Sequence, residues 1–303
     1  MAEKRDEIRE LGITVDLSKL AVIPLATAKP TQKTLYHYTR RGGLLGIVRD
    51  KQVWASNARY LNDAQELSEG RQLLLKMLDG RGFPSNSPES RFREDFKSSL
   101  DVLQTTTDVF VFSLSERDDS LSQWRSYCRA GNGYAVGFDV EGLQAIAKSS
   151  WGYLSKCRYH TTEQEQLMQL VIDDALARLK EDLGKYSEEE HARRNAIVFG
   201  LASFLLAAPM VKNQAFEEER EWRLLLPHID VWTSVCRFRD GGKLLVPYVE
   251  LSSAKYTNII THVRIGPTAH EYLESRAVSG LLTVSGYPDA EVKNSVVPFR
   301  DFS

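Results

Sequence analysis

The chain has 303 residues, 42% of them hydrophobic and 26% charged, with a formal net charge of −2. That composition fits a soluble globular protein of one large domain or two small ones. It excludes an overall basic field that would capture nucleic acid. Three scattered cysteines, Cys128, Cys157 and Cys236, form no C-x-x-C pair and predict reduced thiols rather than a disulfide frame or zinc site.

The charged start, Met1-Ala-Glu-Lys-Arg-Asp-Glu7, lacks the apolar centre of a signal peptide. The longest apolar stretch, 196–210, is shorter than the roughly 20 residues a bilayer needs. A cytoplasmic protein with no membrane contact is expected. Residues 1–33 read as an N-terminal arm, and residues 34–303 as a single α+β domain with a helical insertion over 160–210.

Thr34-Leu-Tyr-His-Tyr-Thr39 predicts a short strand, with Thr39 as N-cap of a helix over 44–49 and a second strand over 51–56. Two roles fit His37: a strand-edge histidine satisfied by backbone, or a donor to a ligand hydroxyl. Residues 64–79 and 91–103 carry helical periodicity, and Asp63 with Glu66 has capping-box spacing. Asp108-Val-Phe-Val-Phe-Ser-Leu-Ser115 predicts a central strand buried on both faces, with Ser113 and Ser115 on one of them. A helical turn over 121–127 carrying Trp124, a Gly131-Asn-Gly133 turn and a strand over 134–138 follow.

Thr162-x-x-Glu165 and Ser187-x-x-Glu190 have the spacing of capping boxes opening two long helices. Strands are expected over 242–249, 259–265 and 291–299, with a helix over 270–281. Strands on both sides of a helical block, without strict alternation, argue α+β with a mixed or mainly antiparallel sheet.

The stretch Phe216-Glu-Glu-Glu-Arg-Glu-Trp-Arg-Leu-Leu-Leu-Pro227 is the candidate chemical centre. On a strand, Glu219 and Glu221 share one face while Trp222 and Leu224 point to a core. The bland alternative is a solvated charge run in which Arg220 and Arg223 neutralise the carboxylates. The abrupt change from charges to Trp222 and Leu224–Leu226 favours carboxylates at the edge of a core.

Together with Leu61-Asn-Asp-x-x-Glu66, Phe112-Ser-Leu-Ser-Glu116, Gln123-Trp-x-x-Tyr127, Gly133-Tyr-x-x-Gly-Phe138, Ile265-Gly-Pro267 and Ser295-x-x-Pro-x-Arg300, these motifs resemble a bacterial family known only as a domain of unknown function. The order of His, strand-borne Ser-x-Ser and Glu-x-Glu is also similar to the ADP-ribosyltransferase superfamily. That second resemblance implies a split mixed or antiparallel sheet and NAD as substrate. It implies Glu221 as the carboxylate that stabilises charge on the ribose, and Glu219 as the group that orients or deprotonates the acceptor. His37, Tyr38 and Thr39 would bind the dinucleotide, and Ser113 and Ser115 would position the Glu and the ribose. Features of the histidine and arginine classes are mixed, so Tyr60, Trp54 and Tyr127 all remain candidates for the aromatic that stacks on nicotinamide.

The implied activity is mono-ADP-ribosylation of nucleic acid or protein, by a toxin or anti-phage effector that an antitoxin or chaperone would restrain. Two other classes fit the residues. A Mg²⁺-dependent hydrolase or nuclease would use Asp63, Glu66, Glu219 and Glu221. A non-catalytic nucleotide-binding or regulatory module would use the aromatics, among them Trp124, Trp151, Trp222 and Trp232.

Overall fold

A computed structural model describes residues 19–27, 30–60, 66–127, 133–227 and 231–298. In chain order its elements are α1 (Ile23–Ala26), β1 (Thr34–Arg40), α2 (Arg41–Val48), β2 (Gln52–Asn57), α3 (Glu66–Asp79), α4 (Pro88–Thr106) and β3 (Phe110–Ser115). Then come α5 (Leu121–Tyr127), β4 (Gly133–Asp139), α6 (Val140–Ser149), β5 (Tyr153–Lys156), α7 (Thr161–Leu183) and α8 (Glu189–Ala207). The last are β6 (Glu221–Leu226), β7 (Cys236–Asp240), β8 (Leu245–Ser252), β9 (Ile260–Ile265), α9 (Glu271–Val284) and β10 (Glu291–Asn294). The class is α+β as expected, and the sheet is mixed: β9 and β10 are parallel and the other pairs antiparallel.

The sheet forks at β3. One edge of β3 pairs along its length with β6, from Phe110 opposite Leu226 to Ser115 opposite Glu221, and β5 extends that side. The other edge is shared. β1 meets it at Tyr36 opposite Ser115, and β2 meets it at Phe110 and Val111. β1 leads into the limb β1-β4-β9-β10, and β2 into the limb β2-β8-β7. The two limbs diverge from β3, and the gap between them is where the site forms.

Side-chain alternation on β3 and β6 divides the core in two. Val111 and Leu225 face a cluster built from α1, α3, α4, α7 and α8. Phe110, Phe112, Leu114, Trp222, Leu224 and Leu226 face the opposite cluster, under α2, α6 and α9. Each fully buried Leu or Phe in these layers contributes about 1.5–3 kcal/mol. In the helical block, Met168, Val171, Ile172, Ala175 and Leu179 form the buried stripe of α7. Gly200 lets α8 approach closely, since a Cβ there would lie 2.8 Å from Phe96 and 2.9 Å from Ala175. Pro209 follows the end of α8 and prevents its continuation.

Several expected caps differ. The N-cap of α2 is Arg40 rather than Thr39, and no side chain caps it. The N-caps of α7 and α8 are His160 and Glu188, again without side-chain caps, so neither Thr162 nor Ser187 opens a capping box. Asp63 lies outside the described residues, as does the side chain of Glu66. Part of the expected N-terminal arm is core: Leu20, Val22 and Ala26 are buried in the helical cluster. The Ala21 amide donates to Asp174, and Ser155 donates to the Ala26 carbonyl at 2.6 Å. Among the described residues no helix is long and apolar enough to cross a membrane.

Candidate active site

A cavity of about 650 Å³ opens at the fork. β1 supplies His37, Thr39 and Arg40 to its wall, β2 supplies Trp54 and Ser56, β3 supplies Ser113, and β6 supplies Glu221 and Arg223. In a continuous sheet His37 and Glu221 would be separated. His37 lies on the side of Phe112, with ring centroids 4.3 Å apart, whereas Glu221 is opposite Ser115 on the other face. The fork opens the sheet between them, so both line the same space.

His37 has a fixed tautomer. Its Nδ1 lies 2.8 Å from the Ser113 carbonyl, which can only accept, so Nδ1 carries the proton. Burial holds the ring pKa down to about 4 against the upward pull of that hydrogen bond. At neutral pH the ring is uncharged and Nε2 is a bare acceptor. Of the two expected roles, the ring shows the hydrogen bond to backbone, and that bond leaves Nε2 able to accept rather than donate.

The carboxylates are arranged differently from expectation. Glu219 ends a 3₁₀ segment, Gln214–Glu219, and only Glu221 is on the strand. Arg220 between them is left-handed, at φ 44°. That kink still brings the two together, because Lys212 Nζ donates to Glu219 at 2.6 Å and to Glu221 at 2.5 Å. Arg223 grips Glu221 through Nε at 2.8 Å and Nη2 at 2.9 Å, and donates from Nη1 to the Pro209 carbonyl. The Glu221 amide donates to the Tyr159 hydroxyl at 2.7 Å. Glu221, Lys212 and Arg223 are all buried, at 5%, 4% and 3% exposure, so this is no solvated charge run.

The two carboxyls are thereby pushed apart in acidity. Burial raises Glu221, but Arg223 and Lys212 outweigh it and hold the pKa at about 2. Burial dominates at Glu219, which is raised despite Lys212. Lys212 itself is raised: burial opposes its charge, and Glu221 more than compensates. Of the roughly four lone-pair positions on a carboxylate, Glu221 gives three to Lys212 and Arg223. Among the described residues, the position left over is on Oε1, which accepts from Arg223 Nε.

The other expected site residues separate by where their side chains go. Trp54, Tyr60 and Tyr127 all line the cavity; Trp54 stacks obliquely on Tyr248 at 4.5 Å. Thr39 is also in the wall, and its Oγ1 occupies the space a Cβ would need at Gly43. Ser115 is set back in a small recess, where its hydroxyl donates to the Glu219 carbonyl at 2.7 Å and so holds the kink. Tyr38 is turned into the core: its hydroxyl donates to the Arg117 carbonyl and accepts from the Ser120 amide, and its ring meets Trp124. Tyr38 also contributes to the cavity lining, so its hydroxyl braces the wall from behind.

Other motif residues brace the same region. Glu116 accepts from Trp222 Nε1 and from Lys156. Asp119 accepts from Trp124 Nε1 and Ser295 Oγ. Gly266 lets Trp124 pack where a Cβ would lie 3.1 Å away. Phe216, which opens the candidate stretch, lines the cavity, as do Lys212, Arg40 and Arg239, which carried no local sequence signal. Arg223 does pair with Glu221, as the charge-run reading expected, but buried rather than solvated.

Residues 123–224 match the family model DUF2971, described as a protein of unknown function. No curated protein and no solved structure matches the chain. The DUF2971 match runs from the start of the Gln123-Trp124 motif into β6, so it contains Tyr127, Lys212, Glu219, Glu221 and Arg223. His37 and Ser113, which complete the cavity wall, lie upstream of it.

Proposed function

We propose that this protein is an NAD-dependent mono-ADP-ribosyltransferase. The observation that carries the reading is the forked sheet, where β1, β3 and β6 bring His37, Ser113 and the Glu219–Glu221 pair to one cavity. This is the strand order that the superfamily resemblance implies, and a split sheet is its implied fold. The cavity volume of about 650 Å³ falls within the usual range for small-molecule sites.

The wall residues suit a dinucleotide. His37 Nε2 can accept from a ribose hydroxyl. Arg40 and Arg239 offer cations to a pyrophosphate. Gly42 and Gly46 face the cavity with nothing within 4 Å of where a Cβ would stand, which leaves backbone open to a phosphate or ribose. Trp54, Tyr60 and Phe216 are partly exposed aromatic faces on the same wall.

The divergent acidities assign the chemistry. Glu221, fixed and ionised, stabilises positive charge as the bond between ribose C1′ and the nicotinamide nitrogen breaks, its electron pair leaving with nicotinamide. Glu219, the weaker acid of the pair, takes the proton of the acceptor as the acceptor bonds to C1′. The products are the ADP-ribosylated acceptor, nicotinamide and a proton. A protein or nucleic acid acceptor, a toxin or anti-phage setting and a restraining antitoxin or chaperone come with the resemblance. A Mg²⁺ reading requires Glu219 and Glu221 to exchange Lys212 Nζ for the ion, so the carboxylate geometry favours the transferase.

Nicotinamide release from NAD, measured with the wild type, Glu221→Gln and His37→Phe, tests the assignment. Release by the wild type that falls about 10²-fold or more in Glu221→Gln supports it. NAD binding with no release in the presence of varied acceptors would favour a nucleotide-binding module. Absence of both would reject NAD as the substrate.

A further inference from the structure

The limb β2-β8-β7 ends in a hairpin whose outer strand, β7, closes the strand order of the sheet. Its turn is tight: Gly242 has φ +86°, and its amide donates to Asp240 at 2.7 Å. Alternation gives the hairpin two unlike faces. Arg237 and Arg239 lie on one, opposite Tyr248 and Val246, and Arg239 reaches the cavity wall, where it donates to Ser56 at 3.1 Å. Phe238 lies on the other, with Leu245 beyond it; they are 54% and 64% exposed. Behind them Cys236 and Val249 on the same face are buried in the core, so the apolar face of the sheet continues outward to an edge with no further strand among the described residues.

We infer that the outer edge of β7 is a docking site for an extended segment of a partner protein in which acidic and apolar residues alternate. A strand added to β7 would bond to its backbone, which supplies affinity without sequence demand. Its side chains would alternate between the hairpin's faces, acidic ones beside Arg237 and Arg239, apolar ones beside Phe238. A second copy of this chain is the poorer occupant. Antiparallel self-pairing centred on Phe238 places Arg237 opposite the other copy's Arg239 twice, and like charges directly opposite destabilise a sheet. Arg239 and Gly241 both line the cavity, so the docked segment would border its mouth. The inference stands apart from the NAD reading, because it concerns binding alone.

The test is fluorescence anisotropy of a labelled synthetic peptide alternating Glu with Val, titrated with the full chain, Arg237→Glu, and Arg237→Glu/Arg239→Glu. Saturable binding to the wild type, weakened about tenfold or more in Arg237→Glu, with the double variant preferring a Lys/Val peptide, is expected. Arg237 is exposed, so the single variant keeps the result independent of folding. Binding that is absent, or indifferent to charge reversal, would overturn the inference. So would displacement of the peptide by a dimer that Phe238→Asp abolishes, or preference of the same arginines for single-stranded DNA.

Discussion

Glu221 is a single carboxylate that holds two buried cations and lines the cavity at once. Removing its charge takes from the buried Lys212 and Arg223 the carboxylate that both of them contact. Glu221→Gln is therefore expected to lower unfolding free energy by about 3 kcal/mol in urea titration, and Glu221→Gln/Lys212→Met to recover part of that loss. The pH sign follows from the same contacts. A carboxyl depressed from 4.5 to about 2 on folding stabilises fully above 4.5 and loses its contribution as pH falls through 2. Glu219, raised by burial, acts in the opposite sense. His37 is depressed from 6.5 to about 4, so the wild type should lose stability on acidification across that window. His37→Phe should flatten the curve there, which melting temperatures against pH would reveal. At this scale the sequence located Glu221, Glu219 and His37, whose residue types and strand periodicity are local signals. Lys212 was invisible because its partnership depends on the chain turning back after Pro209, which no spacing rule encodes.

Among the elements, α2 carries the most specific demand. Gly42 faces open space in the cavity, while a Cβ at Gly43 would lie 1.9 Å from Thr39 Oγ1. Gly42→Ala should fold with equal stability or gain up to about 1 kcal/mol of helix propensity. It should nonetheless weaken ligand binding if backbone approach is needed there. Gly43→Ala should lower the melting temperature, since Thr39 must move. Comparing thermal melts and NAD titrations for the two variants separates the effects. The long elements were legible: α7, α8, β3, β6 and β9 all carry strong periodicity or apolar runs. The caps of α2, α7 and α8 were not, because Ser, Thr and acidic spacing near a helix start recurs by chance and tertiary packing fixes the actual first turn. β5 and β7 escaped for a different reason: each is short, and β5 is defined by its pairing with β6 rather than by its own residues.

For the whole molecule, the decisive feature is the fork, and a fork is a relation among three strands. Composition and patterning predict α+β and a helical insertion; they do not say that β1 and β2 share one edge of β3. Alternation alone would place His37 and Glu221 on opposite faces, and only the opening between the limbs gives them a common cavity. The helical block packs on Val111 and Leu225, on the same sheet face that carries Glu221 and Arg223, and the Pro209 carbonyl at its end accepts from Arg223. The activity proposed for this cavity is the use of NAD to modify a macromolecule. The most direct measurement is transfer of label from adenine-labelled NAD to protein, RNA or DNA of a cell lysate, with Glu221→Gln beside the wild type. Label on one macromolecular class with the wild type, absent with folded Glu221→Gln, is the predicted result. No transfer to any class and no nicotinamide release would contradict the claim.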